Sequence, residues 1–402
     1  MHLLTALTYR PFALLWSGQT VSRLGDSLYR VALAWWVLEQ TGSAAVMGTV
    51  LICSFTPMLL FLLIGGIAVD RFPRVRLMLG SDALRAVVIG TVAALAATHS
   101  LAIWHIYVAS IVFGFVDAFF QPAYVALVPD LTPAPALPSA NALTSLSGQI
   151  TGVAGPALGA GIVALGGTPV AFALDALSFL LSAACLLPLL GVRVPRAAVT
   201  EATNVWQDLR GGLAAVTASP WLWITIALAA FSNITLSAPV AVALPFLVRD
   251  SLHAGVDVLG LLYSSNAVGA IGAALWIGMR RQRRRGLRAY GAWAISGLAL
   301  VGFGLSLPVP VMVVLAALNG AMLMVFGLIW THTLQELVPR DLLGRVSSVD
   351  ILGSFALLPV GFGIAGWATD HWGAPLVFII GGALTTILIA LGLAHPAIRR
   401  LD

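Results

Sequence analysis

Lysine is absent from this 402-residue sequence, and charged residues of every kind amount to only 9% of it, against roughly 25% in soluble domains. A soluble fold of this length cannot cover its surface with so few charges. Cysteine is nearly absent too. Cys53 and Cys185 lie in apolar runs and read as small packing residues, which excludes a disulfide scaffold and a redox pair. There is no Walker loop, so no ATP hydrolysis is expected, and the seven histidines lack ligand spacing. One GxGxxG pattern, Gly361-Phe-Gly-Ile-Ala-Gly366, follows no strand and lies inside an apolar run, where close helix packing accounts for it. The sequence therefore leads us to expect no enzyme, no metal site and no cofactor.

Hydrophobicity is what the chain has in excess: 59% of residues, against roughly 45–50% in soluble domains. It comes in runs of ~20 residues or more, the length of a membrane-spanning helix, whereas a barrel would show alternating segments of ~10. The chain reads as an all-α membrane protein. Twelve candidate spans fall at 12–38, 43–69, 77–98, 102–128, 140–165, 169–190, 220–248, 256–279, 287–306, 309–333, 346–369 and 374–395. The first run is too long for a cleavable signal and reads as its own targeting signal.

The net charge of +5 would suggest nucleic acid on a soluble chain, but here it reads as loop charge that sets topology, and no nucleic-acid partner is expected. With a cytoplasmic N-terminus, seventeen arginines fall in inner loops and tails and one, Arg249, in an outer loop. That positive-inside bias places both termini in the cytoplasm. The longest polar stretch, 191–219, divides the spans six and six and has the makings of an amphipathic surface helix around Trp206, Asp208 and Leu209. The organisation expected is thus a bundle over 1–190, a cytoplasmic linker over 191–219 and a second bundle over 220–402. The halves echo one another. Gly167-Thr-Pro-Val-Ala-Phe172 reappears as Gly373-Ala-Pro-Leu-Val-Phe378, and Leu127-Val-Pro129 as Leu337-Val-Pro339, which supports two pseudo-symmetric six-helix bundles.

Charges inside the spans are costly, ~2.5–3.5 kcal/mol each on insertion scales, so each needs a partner or a cavity. Asp26 shares a helix face with Arg23 and Arg30. It reads equally as a static ion pair with Arg30 and as a proton or substrate site. Asp117, with Gln121 and Pro122 following, is the second candidate. Asp82 with Arg85, and Asp175, read as structural. Among the aromatic residues, Trp16, Trp35, Trp36, Phe113, Phe115, Phe119, Phe120, Phe231, Trp330 and Phe355 include candidates for lining a cavity that takes an amphipathic ligand.

The loop after the second span, Gly66-Ile-Ala-Val-Asp70-Arg71-Phe-Pro-Arg74-Val-Arg76, resembles the signature loop of the major facilitator superfamily, with Pro73 where the family usually has a second glycine. The resemblance implies a cytoplasmic gate made by Gly66, Asp70, Arg71, Arg74 and Asp130. In it Asp70 meets the start of span eleven near Ser347 and Ser348, and Arg71 or Arg74 pairs with Asp130. Gly152, Gly155, Pro156 and Gly159 in span five look like the Gly-Pro motif of the superfamily's antiporters. Glycines four apart give that helix a flat face, and proline is expected to bend it. The stretch Arg10–Asp26, Phe120-Gln-Pro-Ala123, Val128-Pro-Asp130, Ala140-Asn-Ala142 and Gly344-Arg-Val346 are similar to the macrolide-efflux and enterobactin-exporter-like branch. What this implies is proton-coupled export of a small amphipathic molecule (a drug, antibiotic or siderophore) across a bacterial inner membrane by a monomer, with the proton gradient as energy source. A lysophospholipid transporter or flippase and an uncoupled facilitator share the same architecture.

Overall fold

The computed structural model describes residues 4–192, 205–278 and 284–401, apart from the side chains of Leu63, Asp70, Val205 to Leu209 and Asp341. Among these residues the chain is helical throughout, with no strand. The first half contains α1 (Arg10–Thr41), α2 (Ala44–Arg71), α3 (Arg74–Ala97), α4 (Ile103–Asp130) and the long α5 (Leu137–Leu186). A linker helix, α6 (Val205–Ala218), leads into the second half. That half begins with α7 (Pro220–Ser232), α8 (Ala238–Val242) and α9 (Leu244–Phe246), continuous through π-helical turns at Asn233–Ser237 and Leu247–Ser251. It continues through α10 (Val256–Gly278), α11 (Arg285–Gly304), α12 (Val309–Leu337), α13 (Arg340–Phe355), α14 (Leu358–Trp372), α15 (Ala374–Ala394) and the short α16 (Pro396–Arg399).

Nine helical stretches among the described residues are long and apolar enough to cross a membrane. One of them, Ala134–Gly191, runs 58 residues and covers two expected spans. Its division lies at Gly167, whose φ of 76° and ψ of 173° are the only non-helical backbone angles inside α5. Gly373, between α14 and α15, has φ 81° and ψ 153°. These are the two glycines of the sequence repeat. Each takes a positive φ that a side chain would strain, each is followed by a proline in the first turn of the next helix, and Phe172 and Phe378 behind them are both fully buried. The helices α1 and α11 fall outside the nine; α1 carries Arg23, Asp26 and Arg30 along its length. The bend expected at Pro156 does not interrupt α5, which stays helical through it. Span eleven is two helices, α13 and α14, meeting at Ala356 and Leu357.

The chain separates into two compact units: Met1–Thr41 with Thr49–Val199, and Gly42–Gly48 with Thr200–Asp402. The boundary therefore differs from a cut at the linker, because the first turn of α2 groups with the second unit. Asp370 on α14 explains this locally. It accepts hydrogen bonds from the Ala44 N–H at 2.6 Å, the Ala45 N–H at 3.1 Å and the Ser43 hydroxyl at 2.6 Å, capping donors that a helix start leaves unpaired.

Small residues bring helices together within each unit. In the first, Gly114 of α4 lies against the Ser54 carbonyl of α2, and Gly65 of α2 against the Ala118 carbonyl of α4. In the second, α10 and α12 repeat the device, with Gly320 on the Asn266 carbonyl and Gly269 on the Ala317 carbonyl. Backbone contact of this kind holds helices together where lipid removes the hydrophobic driving force. Gly361 and Gly366 of the GxGxxG stretch also pack on backbone, 2.9 Å from Ile234 Cα and 2.8 Å from Ala45 Cα as measured from a built Cβ.

Of the linker, residues 193–204 lie outside the described residues, as do the side chains of Trp206, Asp208 and Leu209. The arginines within 280–283 lie outside them too. The described part of α6 has one buried face, Gly212 and Val216, packed on α13 near Arg345 and Val349, while Leu213, Ala214 and Thr217 face outward. Its buried face is covered by protein, while the apolar Leu213 lies exposed on the other side.

Candidate functional site

The helix α1 packs along α5 because both present small residues there. Gly155 lies against Ser27 and Gly159 against Leu28, its built Cβ 3.1 Å from the Leu28 Cα. On the other part of α5, past Gly167, Asp175 and Ser178 close on Gly25. The glycines of the antiporter-like motif thus act first as a packing face, with Gly152 half-buried beside them. This close approach brings the α1 charges next to those of α3, α4 and α5.

At the centre is Arg85 of α3, 3% exposed. It forms an ion pair with Asp117 of α4. Its guanidinium stacks over three rings: Phe120 at 4.5 Å, Phe113 at 5.6 Å and Phe179 at 5.6 Å from their centroids. A planar, weakly hydrated guanidinium suits such a box better than an ammonium would. Asp82, expected to pair with Arg85, instead accepts from the Ser182 hydroxyl at 2.6 Å, and that hydroxyl accepts from Gln19 Nε2 at 2.8 Å. The physical reason is reach. Three residues along α3 set Asp82 and Arg85 on one face, but Asp117 offers Arg85 a partner in line with its guanidinium across the helix interface.

Asp26 lies within electrostatic range of Arg85, Arg30, Asp117 and Arg23. The static Asp26–Arg30 ion pair is not what forms. Arg30, exposed, donates to the Ser27 hydroxyl at 2.8 Å, and no ion pair to Asp26 exists among the described residues. Arg23 turns the other way, donating to the Thr144 carbonyl at 3.3 Å with its guanidinium 5.0 Å from the Tyr124 ring centre. Asp175 is fully buried and sits within range of Asp26, Arg85 and Arg30. Gln121 is exposed one turn beyond Asp117 and joins no hydrogen bond among the described residues.

The cluster therefore gathers four carboxylates, Asp26, Asp82, Asp117 and Asp175, around three arginines, Arg23, Arg30 and Arg85. Two buried carboxylate oxygens, Asp82 Oδ1 and Asp175 Oδ2, have no hydrogen-bond partner among the described residues. The sequence singles out Asp26 and Asp117 but puts Arg85 in a structural pair with Asp82. Phe113 and Phe120 share the α4 face of Asp117, and it is the packing of α3 on that face that brings Arg85 to them.

Of the gate residues, Arg74 forms an ion pair with Asp130 and donates to the Ala126 carbonyl at 3.3 Å, tying the start of α3 to the end of α4. Arg71 is exposed, and a Cβ at Gly66 would meet open space. The side chain of Asp70 lies outside the described residues.

Apolar helices in a duplicated arrangement, with a charged cluster buried inside one unit, are the architecture of a multi-pass membrane protein of the major facilitator fold. Solved structures share that fold. A bacterial homologue of the iron transporter ferroportin in its inward-facing state has a TM-score of 0.73 at 15% identity, covering 96% of this chain and 99% of that one. A nucleoside transporter, NupG, has a TM-score of 0.72 at 13% identity, covering 96% and 98%.

Within that superfamily the chain belongs to the transmembrane secretion effector family, whose model matches residues 3–400. It is 24% identical over 402 residues to macrolide efflux protein A of Streptococcus pyogenes, covering 97% of each chain. To the multidrug efflux pump Tap of Mycolicibacterium fortuitum it is 28% identical over 408 residues, covering 98% of this chain and 97% of that protein.

Proposed function

We propose that this protein exports small amphipathic drug-like molecules from the bacterial cytoplasm by proton antiport, with alternating access through twelve spans and both termini cytoplasmic. The observation that carries the coupling is the charge balance of the first unit. With every group ionised, four carboxylates against three guanidiniums carry one net negative charge, and a buried ion without compensation costs several kcal/mol. One proton balances the cluster, and its uptake and release couple the gradient to export. Asp26 and Asp117 are the acids through which that uptake and release run, and Arg85 holds Asp117 in place. Similarity to macrolide and multidrug efflux proteins supports the substrate class.

The test is efflux of a macrolide and of a fluorescent dye from cells expressing the protein, with a proton uncoupler and with ATP depletion applied separately. Collapse under the uncoupler and persistence without ATP are expected. Export at full rate under the uncoupler would remove proton antiport and favour an uncoupled facilitator or a lipid transporter.

A further inference from the structure

The second unit holds a cavity of its own, about 200 Å³ in volume, that the charge cluster of the first unit does not involve. Its walls come from α7 with its π-helical turn, and from α11, α12 and α13. Three aromatic side chains form one side in a row. Trp293 lies 4.1 Å from Phe326 between ring centres, and Phe326 is followed by Trp330, parallel to within 9° at 6.4 Å. Phe355 lies on α13 at the same cavity.

The polar groups of these walls are almost all committed to each other. Trp293 Nε1 donates to the Ser232 hydroxyl at 3.0 Å, Asn233 Nδ2 to the Ser354 carbonyl at 2.8 Å, and the Ser237 hydroxyl to Asn233 Oδ1 at 2.8 Å. Asp350 is different. One of its oxygens accepts from Trp330 Nε1 at 3.0 Å and the other from the Ser354 hydroxyl at 3.3 Å. Two bonds leave about half of a carboxylate's four acceptor positions open. No arginine or histidine lies within ion-pair distance of Asp350 among the described residues. A half-buried acid within a membrane helix, oriented by two neutral donors and lacking a counter-ion, is costly to keep unless something positive arrives.

The complement of this cavity is an organic cation. Aromatic faces attract a positive charge through their quadrupoles, and most strongly when the charge is desolvated. A neutral hydrogen-bond donor would find few free acceptors apart from the carboxylate itself. The volume also sets the scale, since whole drug-sized ligands occupy ~300–1,000 Å³. A cavity of about 200 Å³ takes an ammonium group and its substituents and leaves the rest of a larger molecule outside.

We propose that this cavity is the subsite for the cationic end of the exported molecule, a protonated tertiary amine or quaternary ammonium held by Asp350 against the faces of Trp330, Phe326 and Phe355. The proposal rests on the export reading and narrows its substrate class to amphipathic cations. It also gives the second unit a carboxylate that recognises ligand, separate from the acids of the first unit that balance charge.

The experiment is a binding measurement on the purified full-length protein with two isosteric probes. One carries a dansyl group linked to trimethylammonium, and the other carries tert-butyl in its place. Dansyl emission sensitised by the protein's tryptophans reads binding. The wild type should bind the cation at least tenfold tighter than the isostere. In Asp350→Asn that ratio should fall below threefold, with isostere affinity within twofold of wild type; in Asp350→Glu the preference should persist. A wild-type ratio below threefold, or an undiminished ratio in Asp350→Asn, overturns the proposal. Should Asp350→Asn fail to fold by thermal unfolding and gel filtration, the wild-type ratio and the behaviour of Asp350→Glu decide the matter. This readout needs neither transport nor a gradient. Failure of the uncoupler test would refute proton-driven export without altering the cation preference, and loss of the preference would leave export intact.

Discussion

Arg85 and Asp117 are joined across the interface of α3 and α4 in the first unit, with the arginine boxed by Phe113, Phe120 and Phe179. An acid and a base from separate helices, neither in the other's local sequence, satisfy each other inside a region that lipid would otherwise make hostile to both. Removing either partner breaks the one direct ion pair in the cluster and leaves the other to longer-range charges: Asp26, Asp82 and Asp175 for Arg85, Arg30 for Asp117.

Arg85→Gln should destabilise the protein, by less than the ~3–5 kcal/mol of a fully buried pair because the remaining Asp117 is a third exposed. Arg85→Lys should recover little, because an ammonium does not reproduce the planar stacking. The double variant Arg85→Gln/Asp117→Asn should recover much of the loss. Thermal unfolding of detergent-purified protein measures all three, and a double variant no better than Arg85→Gln would show that the ion pair is incidental to the aromatic packing.

Asp26→Asn keeps the shape of the side chain while removing one negative charge from the cluster. Gradient-driven uptake into proteoliposomes should fall by at least tenfold, with ligand binding partly retained. Normal transport by this variant would pass the coupling role to Asp117.

The pair Arg74–Asp130 is partly exposed, with side chains 25% and 17% accessible, so it contributes no more than ~1 kcal/mol. Arg74→Gln and Asp130→Asn should each shift cysteine accessibility on the cytoplasmic side by up to about fivefold, and the double variant should match either alone. Additive effects would mean that the two residues act apart. Asp70→Asn should raise labelling on the same side, as expected of the family's signature loop.

Asp370→Ala removes the acceptor for two N–H groups at the start of α2. A lost cap costs ~0.5–2 kcal/mol. Hydrogen exchange at Ala44 and Ala45 should therefore quicken by roughly 2- to 30-fold, the same range expressed as a rate, with little change in the middle of α2. Unchanged protection would show that neighbouring groups hold this turn.

Gly155→Val should fail to fold or lose ~1–3 kcal/mol, as overpacked sites do, since a Cβ at Gly155 already meets Ser27. Gly161, where a built Cβ meets nothing within 4 Å, provides the contrast. Gly161→Ala should leave stability equal or higher, because alanine favours the helix by ~1 kcal/mol over glycine. Thermal unfolding separates the two.

Much of this protein was legible in one dimension because the bilayer is a strong and uniform solvent. Apolar runs had to be helices, since only internally bonded backbone survives in lipid. The repeat at Gly167 and Gly373 marked a turn that both halves make with positive φ, since glycine and proline at fixed spacing dictate backbone locally. Asp26 and Asp117 stood out because a charge in an apolar run is costly wherever it falls. The same rule, applied to span eleven, would have flagged Asp350.

Tertiary structure alone decided partnership. Asp82 and Arg85 are neighbours along α3, yet Arg85 joins Asp117 of α4 and Asp82 joins Ser182 of α5, because which charges meet depends on which helices pack against which face of α3. It likewise decided that Asp350 shares a cavity with Trp330 and Phe355, and that Asp370 caps a helix more than three hundred residues earlier in the chain. Side-chain geometry across helices has no period in the sequence, so no pattern of spacing could have paired them.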